Sequence, residues 1–124
     1  MNEFRKYDLE ERLIDFAVKV LELVELLPNN RGGIHLANQL VRSGTAPALI
    51  YGEAQAAESK NDFIHKMKIA LKELRESQIN MKIIEKRKML DHSKECGVLV
   101  ECTQLVAIFN ASVETAKRNN LKCK

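Results

Sequence analysis

A chain of 124 residues, 45% hydrophobic and 30% charged, is long enough to bury one core without disulfides or metal and excludes a disordered tail. Five glycines, two prolines and no tryptophan are too few turn formers for a many-stranded sandwich or barrel. A net charge of +3 permits an anionic partner without demanding one. No apolar run approaches the ~20 residues that span a bilayer, so no membrane association is expected. Met1-Asn2-Glu3 lacks a secretory n-region, and an odd count of three cysteines suits a reducing compartment. The expectation is a cytoplasmic, all-helical single domain over 1–124.

Asp8 and Glu11 form a capping-box pattern, which predicts helix 1 over 8–27, stopped by Pro28. Leu13, Phe16, Ala17, Val20, Val24 and Leu27 make one apolar stripe on it. Ile14, Val18 and Leu21 make a second, displaced by about 100°. The segment from Pro28 to Gly33 reads as a loop. Helix 2 is expected over 34–58, with Ala37, Leu40, Val41, Gly44, Ala48, Tyr51 and Ala54 on one face and Pro47 inside it, kinking it or freeing the carbonyl four residues back. Ser59 and Asp62 cap helix 3, expected over 60–88, whose core stripe is Phe63, Met67, Ala70, Leu74, Met81 and Ile84. Helix 4 is expected over 92–118, with Val98, Cys102, Leu105, Phe109, Ser112 and Ala116 on its stripe. Leu99, Val106 and Val113 give it a weaker second stripe.

Four amphipathic helices on short connections predict an antiparallel up-down-up-down four-helix bundle. A helical pair completing its core by dimerising is the alternative, disfavoured because all four stripes occur in one chain. The surplus stripe Ile14, Val18 and Leu21 has two readings: a deeply buried helix, or a homo-oligomer interface, which is preferred because monomers rarely leave long apolar stripes wet.

Residues 1–59 carry 6 basic and 9 acidic residues, whereas 60–94 carry 10 and 5. Lys68, Lys72, Arg75, Lys82 and Lys86 fall within an arc of about 80° on helix 3. Such a row is a solvated face or a contact surface for the phosphates of RNA or DNA. Six aromatics, mostly on core stripes, leave none interleaved for base stacking, so any binding would be sequence-nonspecific.

Catalytic and metal signatures are sparse. His35, His65 and His92 share no ligand spacing, and no phosphate-cradling glycine motif occurs, so neither metal nor cofactor is expected. Arg87 and His92 stand five apart, the general form of the motif in helical-bundle ribonucleases of the HEPN type. There the Arg stabilises a phosphate and the His acts as acid or base.

The run Gln39 to Thr45 (QLVRSGT), Tyr51-Gly52-Glu53-Ala54, Ala57 to Met67 (AESKNDFIHKM) and Ile69 to Glu73 (IALKE) carries a distinctive pattern. Asp8 to Arg12, Phe16-Ala17 and Leu27-Pro28 stand upstream at matching distances. Together they resemble the bacterial four-helix-bundle family named for proteins encoded in 23S rRNA intervening sequences. The resemblance implies a homo-oligomer, typically a ring of five, with no established enzymatic activity. It also brings in a relative, the accessory protein of diversity-generating retroelements, whose basic ring binds nucleic acid and a reverse transcriptase. Arg42, Thr45, Glu53, Ser59, Asp62, Lys72 and Glu73 belong to the matching pattern. Ser59 and Asp62 are explained by capping, while Arg42, Glu53, Lys72 and Glu73 are expected as partly buried ion pairs. The chain departs from the pattern at Ala46 to Ile50, where Pro47 intrudes, and at Asn80, where relatives often carry an aromatic.

Overall fold

The computed structural model describes the backbone of residues 2–122 and the side chains of 9–91 and 97–120. Among these residues the protein is a four-helix bundle without strands: α1 (Asn2–Val24), α2 (Arg31–Gln55), α3 (Lys60–Lys86) and α4 (His92–Lys122). Each helix packs on the next, and α4 returns to α1 through the thinnest of the four contacts.

Helix ends differ from the expected ones for local reasons. α1 begins at Asn2, so Asp8 lies inside it rather than capping it, and its side chain is outside the described residues. The first turns hold Glu3, Arg5 and Lys6, good helix formers that extend the helix past the capping-box pattern. α1 stops at Val24 because Pro28 keeps Leu27 out of the α region. The chain tightens there into turns, with the N–H of Leu26 on the Leu23 carbonyl (3.0 Å) and that of Leu27 on Val24 (3.2 Å). α2 starts three residues early because the Asn30 side chain accepts the Gly33 N–H at 2.9 Å, an N-cap hidden in what reads as loop. A Cβ on Gly33 would strike the Pro28 carbonyl oxygen, so this turn needs glycine. Ser59 caps α3 as expected, accepting the Asp62 N–H at 3.0 Å.

α3 ends at Lys86 in a Schellman turn. The N–H of Lys88 reaches the Glu85 carbonyl at 3.0 Å and that of Met89 reaches Ile84 at 3.1 Å. Lys88 takes the left-handed position, φ 56°, that glycine normally fills.

One core runs through the bundle. Leu13, Phe16, Val20 and Leu23 face Leu40, Tyr51 and Ala54, with Met67, Ala70, Leu74, Met81 and Ile84 from α3. Val98, Cys102, Leu105, Phe109 and Val113 complete it from α4. The second stripe expected on α4 is corrected: Val113 is core, Leu99 and Val106 pack against it, and Val100 is the exposed residue. By length and composition Gly97–Asn120 is apolar enough to cross a bilayer, contrary to the sequence expectation. Val98, Cys102, Leu105, Phe109 and Val113, three or four positions apart, face this core, and 28% of its most apolar stretch is buried. Tyr51 stacks edge-on against Phe109, ring centroids 5.9 Å apart.

Helices α1 and α2 approach closely at one level. A Cβ on Gly44 would lie 2.7 Å and 2.8 Å from the two Val20 methyls. Nearby, Ser77 donates to Ser43 at 2.8 Å in the buried α2–α3 seam. Pro47 is buried one turn on, α2 continues through it, and the Ser43 carbonyl loses its helical donor. Gly52, by contrast, faces open space. Gly44→Ala is therefore expected to destabilise by about 1–3 kcal/mol through overpacking, and Gly52→Ala to stabilise by about 0.5–1 kcal/mol. Denaturant midpoints of the two variants moving in the same direction would refute this reading of α2.

Candidate functional site

Arg42 of α2 and Lys68, Lys72 and Arg75 of α3 converge on an open groove of about 700 Å³ along the α2–α3 seam. Gln39, Leu71, Glu76, Ile79, Asn80 and Ile83 complete its lining. The α3 cations share it because positions 68, 72, 75 and 79 fall within an arc of about 60°. Four cations thus face one carboxylate, and among the described residues none of the four takes part in an ion pair within the chain. The groove is also apolar: Ile79 and Ile83 are 55% and 47% exposed. Asn80 is only 8% exposed, and its amide has no hydrogen-bond partner among the described residues. Buried amides are normally met by some partner, since leaving one unmet costs about 1–3 kcal/mol.

A second surface lies on α1. Ile14, Val18 and Leu21 are 44%, 49% and 43% exposed in the single chain, outside its core. Glu10, Glu11, Asp15 and Glu22 are exposed around them within an arc of about 140°, and Glu25 is exposed in the turn that follows. Among the described side chains of α1, the cations Arg12 and Lys19 lie more than about 100° from the centre of that arc. The outer face of α1 is therefore acidic and apolar together.

The remaining sequence candidates scatter. Lys82 and Lys86 are exposed and continue the basic row beyond the groove lining. The partly buried ion pairs expected of Arg42 and Lys72 are corrected: both are exposed groove residues. Glu53 accepts instead from Lys66 at 2.8 Å, an exposed bridge that raises the Lys66 pKa, first by hydrogen bonding and then by charge. Glu73 is half-buried, and the Thr45 hydroxyl donates to the Val41 carbonyl at 2.7 Å. Arg87 is the exposed C-cap of α3, and the His92 side chain lies outside the described residues.

One polar contact escaped the sequence reading. Arg12 grips Glu101 with both ends of its guanidinium, at 3.0 Å and 2.8 Å, and also donates to Gln104 at 3.0 Å. This clamp ties α1 to α4 where their contact is thinnest. Nothing local signals it, because the partners stand 89 positions apart.

Residues 5–111 match the family model of the 23S rRNA-intervening sequence protein. The chain belongs to that family. A crystal structure of a protein of unknown function, from the S23 ribosomal protein family of Bacteroides thetaiotaomicron, is similar with a TM-score of 0.78 and 25% identity. The similarity covers 85% of this chain and 97% of that one. Among curated proteins no match is found.

In this member of the intervening-sequence family the buried thiol is structural. Cys102 donates to the Leu74 carbonyl at 3.3 Å, and burial, with help from Glu101, pushes its pKa up to about 12. In the unfolded chain the thiol loses this proton at its ordinary value near 9.0. The stability held by the neutral thiol is thus full below about pH 9 and is lost as pH rises towards 12. Wild type is expected to lose more stability than Cys102→Ala between about pH 8 and pH 10.5. Equal losses in denaturant titrations would remove the thiol from the account.

Proposed function

We propose that this chain is a non-enzymatic assembly module, an antiparallel up-down-up-down bundle that associates with copies of itself in the cytoplasm. Opposed pairings support the topology: Ser43 with Ser77 and Glu53 with Lys66 between α2 and α3, and Asn61 with Asn120 and Leu74 with Cys102 between α3 and α4. One observation carries the assembly reading. α1 fills the core with Leu13, Phe16, Val20 and Leu23 and still leaves Ile14, Val18 and Leu21 about half exposed. Contiguous apolar stripes of that kind mark interaction sites far more often than free surface.

A second reading rests on the basic row. Lys68, Lys72, Arg75, Lys82 and Lys86 are all exposed, which favours contact with nucleic-acid phosphates without sequence readout.

Light scattering should give a mass that is a multiple of 14.1 kDa. Val18→Glu with Leu21→Glu should lower that mass while the helical circular dichroism stays unchanged. A wild-type mass of one chain at micromolar concentration would end the assembly reading. For nucleic acid, each phosphate contact removed should flatten the log–log salt dependence on duplex DNA by about 0.9. A Lys68→Glu/Arg75→Glu/Lys82→Glu protein that binds RNA and DNA as wild type does would eliminate the second reading.

A further inference from the structure

We propose that the outer face of α1 in one copy docks into the α2–α3 groove of the next copy, so that every copy both gives and receives a helix. The inference deepens the assembly reading and rests on it. Charge selects the pairing. The α1 face carries Glu10, Glu11, Asp15 and Glu22, with Glu25 in the turn just after it, and the groove presents Arg42, Lys68, Lys72 and Arg75. Two α1 faces brought together would oppose five carboxylates to five, and two grooves would oppose four cations to four, and like-charge juxtaposition is strongly unfavourable. Only the unlike pairing neutralises both surfaces.

Shape and polarity agree with charge. From Glu10 to the end of α1 at Val24 its face runs about 21 Å, and from Lys68 to Ile83 the groove edge runs about 22 Å. Ile14, Val18 and Leu21 form the centre of one surface, as Ile79 and Ile83 form the floor of the other. Each set lacks cover within its own chain. Asn80 adds a specific acceptor requirement, because its buried amide has no partner among the described residues and an incoming carboxylate supplies one.

The two surfaces are different parts of the molecule: among the described residues, none of α1 lines the groove. The contact is therefore heterologous, and it closes a ring when the rotation between the surfaces divides a full turn.

Charge exchange tests this directly. Lys68→Glu/Lys72→Glu/Arg75→Glu and, separately, Asp15→Lys/Glu22→Lys/Glu25→Lys should each raise the protein concentration at which assembly is half complete by at least about tenfold, as loss of unlike charge pairs predicts. Circular dichroism should show both folded, since every altered side chain is exposed. The chain carrying both triple exchanges should regain the wild-type mass. Wild-type assembly in the groove variant, or no recovery in the combined chain, overturns the inference and leaves self-assembly standing. A monomeric wild type overturns both. Loss of RNA binding in the groove variant with its assembly unchanged also overturns the inference and gives the groove to nucleic acid.

Discussion

A helix can turn only one stripe towards a single core, and α1 carries two. Leu13, Phe16, Val20 and Leu23 occupy the inward stripe at under 4% exposure each, so α1 cannot rotate to shelter the other without opening the core. Rotation by the roughly 150° that separates the stripes would also swing Arg12 out of its clamp on Glu101 and Gln104. The phase of α1 is thus fixed twice, by packing and by a bidentate charge pair, and its surplus apolar surface is fixed outward as a result. The carboxylates that keep this stripe in water are the same groups that give it a sign.

The α2–α3 side shows the complementary economy of space. Gly44 lets Val20 approach α2, and Ser43 meets Ser77 by hydroxyl contact, so small residues hold the seam together from within. Larger groups are pushed to the rim. Arg42, next to Ser43, turns to the groove, and from α3 the long stems of Lys68, Lys72 and Arg75 join it around Ile79 and Ile83. Aliphatic stems of lysine and arginine can lie along such apolar surface while their charged ends remain hydrated. The groove therefore combines apolar and cationic character without any buried charge.

Much of this was legible in the sequence, because helical phase is a local property. The stripes of α1, α3 and α4 and the Ser59 cap follow from spacing and residue type. Helix starts were read less well. Asn30 caps α2 three residues before the expected start, inside a segment whose paired glycines read as loop, and Gly33 is there for contact with Pro28. Phase also failed where two neighbours compete for one place: Ile64 is buried and Phe63 only half-buried, the reverse of the expected order. Charge partners were the least legible. Phase assigns Arg42 and Lys72 to a helix face, but only the tertiary arrangement shows that neither forms an ion pair among the described residues and that Glu53 goes to Lys66. The groove itself belongs to two helices at once and has no signature in either, although the row Lys68, Lys72 and Arg75 marked one of its walls.

The basic row of α3 then divides into two parts with different consequences. Lys68, Lys72 and Arg75 line the groove, while Lys82 and Lys86 lie beyond it, followed by Arg87 and Lys88 at the helix end. A cation matched to an α1 carboxylate is not available to a phosphate, so self-association and nucleic-acid binding would compete for the first group and not for the second. In the proposed assembly each copy would offer only the helix-end cluster, too few cations for tight binding alone under physiological salt. Repetition around a closed oligomer would compensate, because a polyanion held at one cluster meets the next at high effective concentration. On that arrangement, affinity for nucleic acid would track the number of joined copies rather than the charge of a single chain, and the groove would act on nucleic acid only through the assembly it creates.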